Sequence, residues 1–588
     1  MKKLSELRPD KRLLNPDFNG YKLSLASIPS YNLAFDNGVD QVSPSDDQYS
    51  FLYAKLFSLH NYLFADKWNE GNLYFIDKGW KIQKVVMSDS DAVEKIEAVW
   101  EIPSNHKRSP GHYFPSVSFP SQDLAVVTDG AGTLHIISRN TTWEVTYSEE
   151  VIGKEKPFVL YDSSCVENDS QCVLHCLIVH VESEEDRTLS DSKEDDPSNR
   201  YVTVIDWLSL VQESSGSWSM KNIRQLQGSG LPDYISLEPG CKSIYLVNES
   251  PFKFISDSEN PVVVEKIEDK KSNIQDLEKL YKWQQNDEEI KVSFEFENKI
   301  EKNEIKITAT SDSFSLKYKD RLILSGSLFH RIDNDLTLWT LQDNKLEVTV
   351  QKEEKGLMWR EFIAGDSHGE EVLDEHVVTE VHQRLSHLCS DTQVKDIDVC
   401  GSAPSFNMEQ LEDCDSTPGE YKALMRLDGV THEITGEYTL AGHQWLFSVQ
   451  QTASAAPAIC IRHDVDACVW QPQVATEASA LWPCQHTSTF YAFGYVQASK
   501  QNKKFLLSPP DLSYVAVCEA SNHVLLYRQA MPVDGDLRNR RTGGRVSEVG
   551  VQQLIKLEPN NLVLGAVATN KSLFILQENS LQQYRINQ

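Results

Sequence analysis

Three stretches far apart in the chain share one pattern of apolar and polar positions. They are SVSFPSQDLAVVTDGAGTLHIIS (residues 116–138), YISLEPGCKSIYLVNESPFKFIS (residues 234–256) and FLLSPPDLSYVAVCEASNHVLLYR (residues 505–528). Each has a short apolar segment, a turn that contains proline, a longer apolar segment, a polar turn and a last apolar segment. Because proline, glycine, asparagine and aspartate favour turns between strands, each stretch predicts a three-stranded antiparallel meander.

A single meander cannot bury its own faces, so repeats of this kind stack radially, as in the WD-type β-propeller. Weaker copies lie at residues 72–87, at 173–181 with 201–210, and at 444–450 with 458–471, and another copy ends the chain at residues 563–586. Since copies lie both early and late in the chain, we expect one WD-like β-propeller assembled from N-terminal and C-terminal segments. Two separate all-β domains are the alternative, and a count of seven blades is only a guess.

The middle of the chain alternates apolar and polar residues over a series of short strands. Val292, Phe294 and Phe296 alternate with polar residues, and Ile305, Ile307 and Ala309 do the same. Further strands are predicted at residues 314–319, 321–328, 335–341 and 345–352. Roughly six or seven strands in about 85 residues are typical of a small antiparallel β-sandwich. The sequence therefore predicts an all-β chain in which a sandwich interrupts the propeller.

The segment after the sandwich has a helical pattern at residues 369–388, with Leu373, Val377, Val381, Leu385 and Leu388 on one stripe. Residues 391–417 are polar and rich in turn formers, which indicates a connector. The expected domains are the N-terminal part of the propeller (1–268), the sandwich (269–366), a helix and linker (367–417) and the C-terminal part of the propeller (418–588).

Composition and charge narrow the function classes. The chain has 588 residues, 40% of them apolar, and a formal charge of −30, which disfavours direct contact with nucleic acid or anionic lipid. The eleven cysteines are odd in number and irregularly spaced, which favours buried reduced thiols over a disulfide framework. The N-terminal residues contain no secretory signal, and no uncharged segment approaches the ~20 residues of a membrane span. We expect a cytoplasmic and nuclear protein.

Three motifs in the central segment resemble one known family. They are YKWQQNDEEIKVSFEF (residues 281–296), LSGSLFHRIDNDLTLWTL (residues 324–341) and LEVTVQKEEKGLMWREFIAGD (residues 346–366). This segment resembles the CS domain of the NudC type, a β-sandwich also found in co-chaperones of the ninety-kilodalton heat-shock protein. The stretches NPDFNGYKLSL (15–25), CIRHDVDACVWQP (460–472) and AFGYVQASKQNKKF (492–505) resemble segments that flank such a domain within the NudC family, so the resemblance spans most of the chain.

The resemblance implies a non-enzymatic co-chaperone or adaptor that binds client proteins through the CS domain and the propeller, either alone or together with the ninety-kilodalton heat-shock chaperone. Clients of this family often contain β-propellers or Kelch repeats. A sandwich mounted on a propeller offers two binding surfaces and needs no cofactor or metal. We expect a monomer with no nucleic-acid or membrane partner. The alternative is a structural scaffold in which the propeller recruits a complex and the CS domain is a spacer.

Nine residues of the CS segment are candidates for partner contact: Tyr281, Trp283, Gln284, Lys306, Lys317, Lys319, Trp339, Lys352 and Trp359. Trp339 and Trp359 are expected in the core, because a small sandwich needs large side chains to close its ends. For Trp283, burial and exposure are equally weighted. Lys306, Lys317 and Lys319 are expected to form a basic face on an acidic molecule, which would suit an acidic tail of a partner if the lysines are not simply solvated.

Other groups of polar residues give weaker evidence for a functional site. His463 and Asp466 in RHDVDACVWQP are candidates for a hydrolase, but a turn in which aspartate accepts backbone N–H bonds is favoured. Cys172, His175 and Cys176 lack the second ligand pair of a zinc site. The acidic segment 181–200 is expected to be a loop, and so is the basic cluster at residues 538–545. Because no nucleophile elbow, phosphate loop or HExxH motif is present, the sequence predicts no enzyme.

Overall fold

The computed structural model describes residues 5–587 apart from residues 89, 104–108, 141, 169–170, 184–200, 263–280, 297–301, 312, 320, 343, 364–365, 367, 373–421, 441–442, 476–481, 499, 501, 533–536, 539–542, 547 and 558–560. The predicted linker, most of the predicted helix, nearly all of the acidic loop and the middle of the basic cluster lie outside the described residues. The chain divides into two units, Met1–Val263 with Phe406–Gln588, and Val264–Ser405.

The strands before residue 263 are β1 (Ser5–Glu6), β2 (Tyr21–Leu23), β3 (Ser30–Ala34), β4 (Phe64–Ala65), β5 (Leu73–Ile76), β6 (Lys81–Met87), β7 (Val93–Glu101), β8 (Ser116–Ser118), β9 (Leu124–Thr128), β10 (Thr133–Ser138), β11 (Glu144–Glu150), β12 (Val159–Asn168), β13 (Gln171–Ser183), β14 (Tyr201–Gln212), β15 (Trp218–Gly228), β16 (Tyr234–Leu237), β17 (Ser243–Asn248) and β18 (Lys253–Asp257). Helix α1 (Phe51–Leu59) and a 3₁₀ helix (Lys11–Leu13) also lie here. Ser50 caps α1 by accepting from the Tyr53 N–H.

The strands of the central unit are β19 (Tyr281–Gln285), β20 (Glu289–Glu295), β21 (Ile305–Ala309), β22 (Ser313–Tyr318), β23 (Arg321–Ser327), β24 (Ile332–Gln342), β25 (Lys345–Lys352) and β26 (Gly369–Glu371), with a 3₁₀ helix at Lys302–Glu304. The strands after residue 421 are β27 (Ala423–Asp428), β28 (Ile434–Thr439), β29 (Trp445–Val449), β30 (Ala458–His463), β31 (Asp466–Pro472), β32 (Cys484–Phe490), β33 (Lys503–Leu507), β34 (Tyr514–Glu519), β35 (His523–Pro532), β36 (Glu548–Lys556), β37 (Gly565–Ala568), β38 (Ser572–Gln577) and β39 (Ser580–Arg585). Helix α2 (Phe493–Ala498) precedes β33.

Within the described part of the first unit, seven sheets of four or five strands form the blades of a β-propeller. In blade order they are β4-β5-β6-β7, β8-β9-β10-β11, β12-β13-β14-β15-β18, β16-β17-β27-β28-β1, β29-β30-β31-β32, β33-β34-β35-β36-β2 and β37-β38-β39-β3. The meanders predicted at residues 116–138 and 505–528 are strands β8 to β10 and β33 to β35. The all-β propeller prediction is therefore confirmed, and the guess of seven blades agrees with the described sheets.

Blade 4 is built from both halves of the chain. Strand β17 pairs antiparallel with β27, from Ser243 opposite Asp428 to Asn248 opposite Ala423. Strand β18, the third strand of the second meander, does not continue this sheet and pairs with β15 in blade 3 instead. One sheet thus shares strands from before and after the central unit, which decides for a single propeller and against two separate all-β domains.

Blade 7 closes the propeller with a strand from the N-terminus. Strand β3 pairs antiparallel with β39, from Ser30 opposite Tyr584 to Ala34 opposite Ser580. One buried cluster joins blades 7, 1 and 2 through Leu576, Phe75 and Val127. Similar clusters join blades 2 and 3, 3 and 4, 4 and 5, 5 and 6, and 6 and 7. Since burying one large apolar side chain contributes ~1.5–3 kcal/mol, these interfaces stabilise the propeller.

The segment from Ser5 to Ala34, which we call the N-terminal arm, also binds two other blades. Strand β1 pairs in parallel with β28, and β2 pairs in parallel with β36. Gly550 on β36 makes room for this contact, because a Cβ atom there would lie 2.6 Å from the Tyr21 ring. The Tyr21 hydroxyl donates to the carbonyl of Tyr491 at 2.7 Å. The arm therefore covers the outer edges of blades 4, 6 and 7.

Buried ion pairs hold the two chain halves together at blade 4. Glu238 accepts from Arg426 Nε at 2.9 Å and from its Nη2 at 2.8 Å, across 188 residues of chain. Asp257 on β18 accepts from Arg224 of blade 3 and lies 2.9 Å from His432 Nε2 of blade 4. Burial would raise the pKa of Asp257, but hydrogen bonds from the Asn260 N–H and from His432 outweigh it and lower the pKa to about 2. Each carboxylate thus contacts a side chain from the other half of the chain, Glu238 with Arg426 and Asp257 with His432.

Two cysteines of blade 3 correct the sequence analysis. Cys165 on β12 and Cys172 on β13 form a disulfide, so the prediction of reduced thiols is wrong for this pair. They face each other diagonally across the β12–β13 hairpin, where Glu167 is opposite Cys172. The free cysteines among the described residues are Cys176, Cys241, Cys460, Cys468, Cys484 and Cys518.

The central unit is the predicted β-sandwich. Its two sheets have the orders β24-β25-β20-β19-β26 and β21-β22-β23. Alternate residues of both sheets meet in one core that contains Ile290, Val292, Phe294, Phe314 and Leu316. The helix predicted at residues 369–388 is wrong for its first three residues. Gly369–Glu371 form a strand that pairs in parallel with Tyr281–Trp283 and extends the sheet.

Candidate functional site

Three of the aromatic candidates lie inside the sandwich. Tyr281, Trp283 and Trp359 are exposed by only 2%, 3% and 3% and belong to its core. Strand β19 alternates, with Tyr281 and Trp283 inward and Lys282 and Gln284 exposed. The equal weighting for Trp283 is thus resolved in favour of burial, and the expectation that Trp359 is a core residue agrees with the structure. A residue this buried acts on a partner only through the surface it supports.

Lys352 is also buried, although lysine is seldom found inside proteins. It is 4% exposed, and its Nζ donates to Gln285 Oε1 at 2.9 Å and to the Leu357 carbonyl at 2.7 Å. Gln285 in turn donates to the Trp359 carbonyl and accepts from the Trp359 N–H. Burial lowers the pKa of Lys352. Lys352 therefore fixes the segment after β25, and Gln285, which the sequence analysis missed, is the centre of this network.

The remaining candidates are accessible. Gln284, Lys306, Lys317 and Lys319 are exposed, and Trp339 is half-buried beneath the Lys302 ammonium, which lies 5.8 Å from the ring centroid. Lys306 and Lys317 are directly opposite each other on β21 and β22. Trp339 lies on β24, in the other sheet. Gln284 lies on that second sheet too, so the structure brings only the lysines together, and partner contact by any of these residues stays a prediction.

Strand β24 presents apolar side chains that the sequence analysis did not single out. Leu336 and Leu338 are 55% and 69% exposed. The strand stands at one end of its sheet and pairs, within the described residues, with β25 alone. An edge strand with exposed leucines forms a surface to which an extended segment of another protein can add. The sequence LTLWT contains a signal for this surface. Its apolar residues lie on both faces of the strand, and only one of these faces can point into the core.

The propeller has its own candidate site. A cavity of about 280 Å³ is lined by β12 of blade 3 and by the end of β16 in blade 4 with the turn that follows it. Loops of blades 1 and 5 complete the lining. Its polar lining includes Lys67, Asp162, Glu167 and Gln450. Asp162 accepts from the Ser236 hydroxyl and the Leu237 N–H. Four distant chain segments meet here, which is why no local motif predicted the cavity.

The histidine and aspartate considered for a hydrolase form a hairpin end. His463 and Asp466 are paired on β30 and β31, and Asp464 between them has a positive φ of 55°. Asp466 accepts from the Ala492 N–H at 2.7 Å, while His463 stacks on His443. This is the backbone-bonded aspartate that the sequence analysis favoured. Within the described residues no cluster of three or more metal-ligating side chains occurs.

No helix in the described part of the chain is long and apolar enough to cross a membrane.

Comparison with known proteins identifies the family. Residues 279–352 match the CS domain family model. NudC domain-containing protein 1 of Mus musculus is 33% identical over 99% of this chain and 98% of its own length, and the Xenopus tropicalis protein of the same name is 31% identical with the same coverage. Among solved structures, the nuclear movement protein from E. cuniculi GB-M1 is 22% identical over 14% of this chain and 99% of its own, with a TM-score of 0.13. Sqt1 from Chaetomium thermophilum is 9% identical over 90% of this chain and 97% of its own, with a TM-score of 0.31. The sequence identity along nearly the whole chain shows that it belongs to the NudC domain-containing protein 1 family.

Proposed function

We propose that this protein is a non-enzymatic co-chaperone or adaptor that holds client proteins through its CS sandwich and its propeller, together with the ninety-kilodalton heat-shock chaperone. The observation that carries the proposal is the edge strand β24 with its exposed Leu336 and Leu338. Family membership supports a co-chaperone role. The formal charge of −30 favours protein partners over nucleic acid or anionic membranes. We place the protein in the cytoplasm and nucleus, as a monomer.

The chemistry of β24 fits a client that is partly unfolded. An extended segment that pairs with the outer edge of β24 gains backbone hydrogen bonds and buries its own apolar side chains on Leu336 and Leu338. Such a contact needs no particular client sequence beyond alternating apolar residues. It therefore suits a protein that meets many unfolded strands.

An aggregation-protection assay with the full chain tests this function. Heated citrate synthase serves as the unfolding client, and the variant Leu336→Ser with Leu338→Ser is compared with the unaltered chain. The matched control is Val145→Ser with Leu554→Ser, which removes two apolar side chains of 47% and 54% exposure from the propeller. We expect the β24 variant to lose most of its protection and the control to keep it. Equal protection by all three proteins would contradict the proposal.

A second candidate function is a scaffold in which the propeller recruits a complex and the sandwich is a spacer. The cavity of about 280 Å³ at the inner strands favours it. Affinity capture from cell extract, with and without residues 275–366, separates the two functions. A scaffold keeps its main partner after the deletion, whereas an adaptor that uses both units loses it. Recovery of the heat-shock chaperone with the full chain, but not with the chain that lacks residues 275–366, would support the first proposal.

A further inference from the structure

The outer face of the three-stranded sheet β21-β22-β23 has an unusual composition. Register places Lys306 opposite Lys317, Thr308 opposite Ser315, and Ser315 opposite Ser325. The alternate residues Ile307, Phe314 and Leu316 point into the sandwich core. By the same register, Thr310, Ser313 and Ser327 belong to the outer face. Within the described residues, the register thus gives this face two ammonium groups and several hydroxyls, with Leu322 opposite Lys317.

Among the described residues, the two lysines have no ion-pair partner. Neither Lys306 nor Lys317 forms an ion pair within the described part of the chain, and both are exposed. Lys319, the third lysine of this region, differs because its Nζ lies 3.3 Å from Glu304 Oε1. The unneutralised charge is therefore confined to the Lys306 and Lys317 pair.

The pairing of Lys306 with Lys317 is unfavourable for the sheet. Like charges directly opposite each other on neighbouring strands are destabilising, and serine or threonine would fit here as it does at the adjacent positions. The chain as a whole carries a surplus of acidic residues, 87 against 57 basic ones, so carboxylates were available to neutralise the pair. Since no described residue compensates this local cost, we infer that the compensation comes from a bound partner.

We propose that this face binds an extended acidic segment of a partner protein. A carboxylate that lies between the two ammonium groups relieves their repulsion, and the neighbouring hydroxyls donate to further carboxylates or backbone carbonyls. A long polyanion such as nucleic acid is disfavoured, because it would extend beyond the patch into the field of a molecule with a charge of −30. A short acidic segment is sensitive only to charges within about one Debye length, roughly 8 Å at physiological salt. The inference rests on the proposed partner-binding function and names the chemistry of one of its contacts.

Fluorescence anisotropy with the full chain and a labelled peptide of alternating glutamate and serine tests the proposal. The variant Lys306→Glu with Lys317→Glu is expected to bind about tenfold more weakly, because two exposed ion pairs are lost. The control Lys282→Glu with Lys345→Glu makes the same change in net charge on residues of the other sheet. It is expected to bind within about twofold of the unaltered chain, because contacts beyond a Debye length are screened.

Three results of the binding measurements would overturn the proposal. They are no binding of the acidic peptide at low salt, an equal loss in both double variants, and tighter binding of a single-stranded DNA oligonucleotide than of the peptide. The single variant Lys317→Glu guards against misfolding as an explanation. It places an acid opposite Lys306, so its thermal transition is expected not to fall while its peptide affinity falls severalfold. A lowered transition together with normal affinity would also overturn the proposal.

The outcome is separable from that of the aggregation assay. Variants of Leu336 and Leu338 leave the lysine face unchanged, and variants of Lys306 and Lys317 leave β24 unchanged. Peptide binding with no aggregation protection would refute the client function alone, whereas protection with no peptide binding would refute only the acidic site.

Discussion

Replacing Arg426 by methionine tests whether the buried ion pair with Glu238 holds the split blade together. The arginine fills a site between β27 and the β16–β17 turn, and its side chain is 10% exposed against 2% for Glu238. Without it, Glu238 keeps the Tyr245 hydroxyl at 3.0 Å as a donor to Oε1, but Oε2 loses the donor at 2.8 Å. Removing one partner of a buried pair costs about 3–5 kcal/mol, because the remaining charge is buried without compensation.

Hydrogen exchange of the amides in β17 and β27 measures this cost. Because 1.4 kcal/mol corresponds to a tenfold change in an equilibrium, we expect exchange in these strands to rise at least about 100-fold. The double variant Glu238→Leu with Arg426→Met should recover most of the protection, since apolar groups of similar size replace a buried pair at little cost. Tyr245 still donates to the Gln473 carbonyl in that variant.

Arg331→Met is the matched control. It removes a guanidinium from an exposed pair with Glu353, where both side chains are about half or more accessible, and exchange in blade 4 should stay unchanged. Unchanged exchange in Arg426→Met, or a double variant that exchanges as fast as the single one, would refute the reasoning.

Three further predictions concern the propeller. Burial would lower the pKa of His180, but its contacts with the carboxylates of Asp206 and Glu182, both at 3.1 Å, raise the pKa to about 9. The contribution of His180 to stability is therefore full below its ordinary pKa of 6.5 and is lost as pH rises towards 9. Thermal unfolding from pH 6 to 9.5 should show this loss, and His180→Gln should flatten it; a parallel profile in the variant would disprove the assignment. Replacing Cys165 and Cys172 by serine opens a short loop and should lower the free energy of unfolding by about 2 kcal/mol. The unfolding midpoint should fall in the variant. Reductant should lower the midpoint of the unaltered chain by the same amount and leave that of the variant unchanged. Gly550→Val should displace the Tyr21 ring and speed proteolysis of the N-terminal arm, and a cleavage rate equal to that of the unaltered chain would contradict the close contact.

The blades could be predicted because their signals are local. In residues 116–138 the turn residues and both apolar strands lie within one short stretch, and neighbouring strands in sequence are neighbours in the sheet. Blade 4 differs because its third strand, β27, follows the central unit, while the local candidate β18 pairs with blade 3. Nothing in KFISD distinguishes these two partners. Pairing over such distances depends on the packing of the whole propeller.

The N-terminal arm could not be predicted for a different reason. Strands β1 and β2 have two and three residues, and most of their side chains are intermediate or exposed. Such segments have no apolar period of their own. Their strand conformation comes from the edges of β28 and β36, which supply the hydrogen bonds.

The burial of the candidate site residues was predicted in part. Alternation in YKWQQ favours Tyr281 and Trp283 on one face, and the structure places both in the core. Lys352 was misleading as an accessible cation, because its burial depends on Gln285 and Leu357, which approach only after folding. The sequence could not predict which residues of β24 face solvent, because the pairing of β24 with β25 shifts its register between Asp333 and Leu338. Register shifts of this kind reverse which residues face solvent.

The distant pairing of β17 with β27 has a consequence for synthesis on the ribosome. With 188 residues between Glu238 and Arg426 and translation at ~5–20 residues per second, about 10–40 s pass before the fourth sheet obtains its third strand. The last sheet waits longer, because β3 must remain without its partner until β39 is made. During this interval the complete CS unit has already left the ribosome as a separate folding unit, ahead of the body that surrounds it in sequence. The nascent chain therefore acquires its CS unit before it has finished burying the strand edges of the propeller.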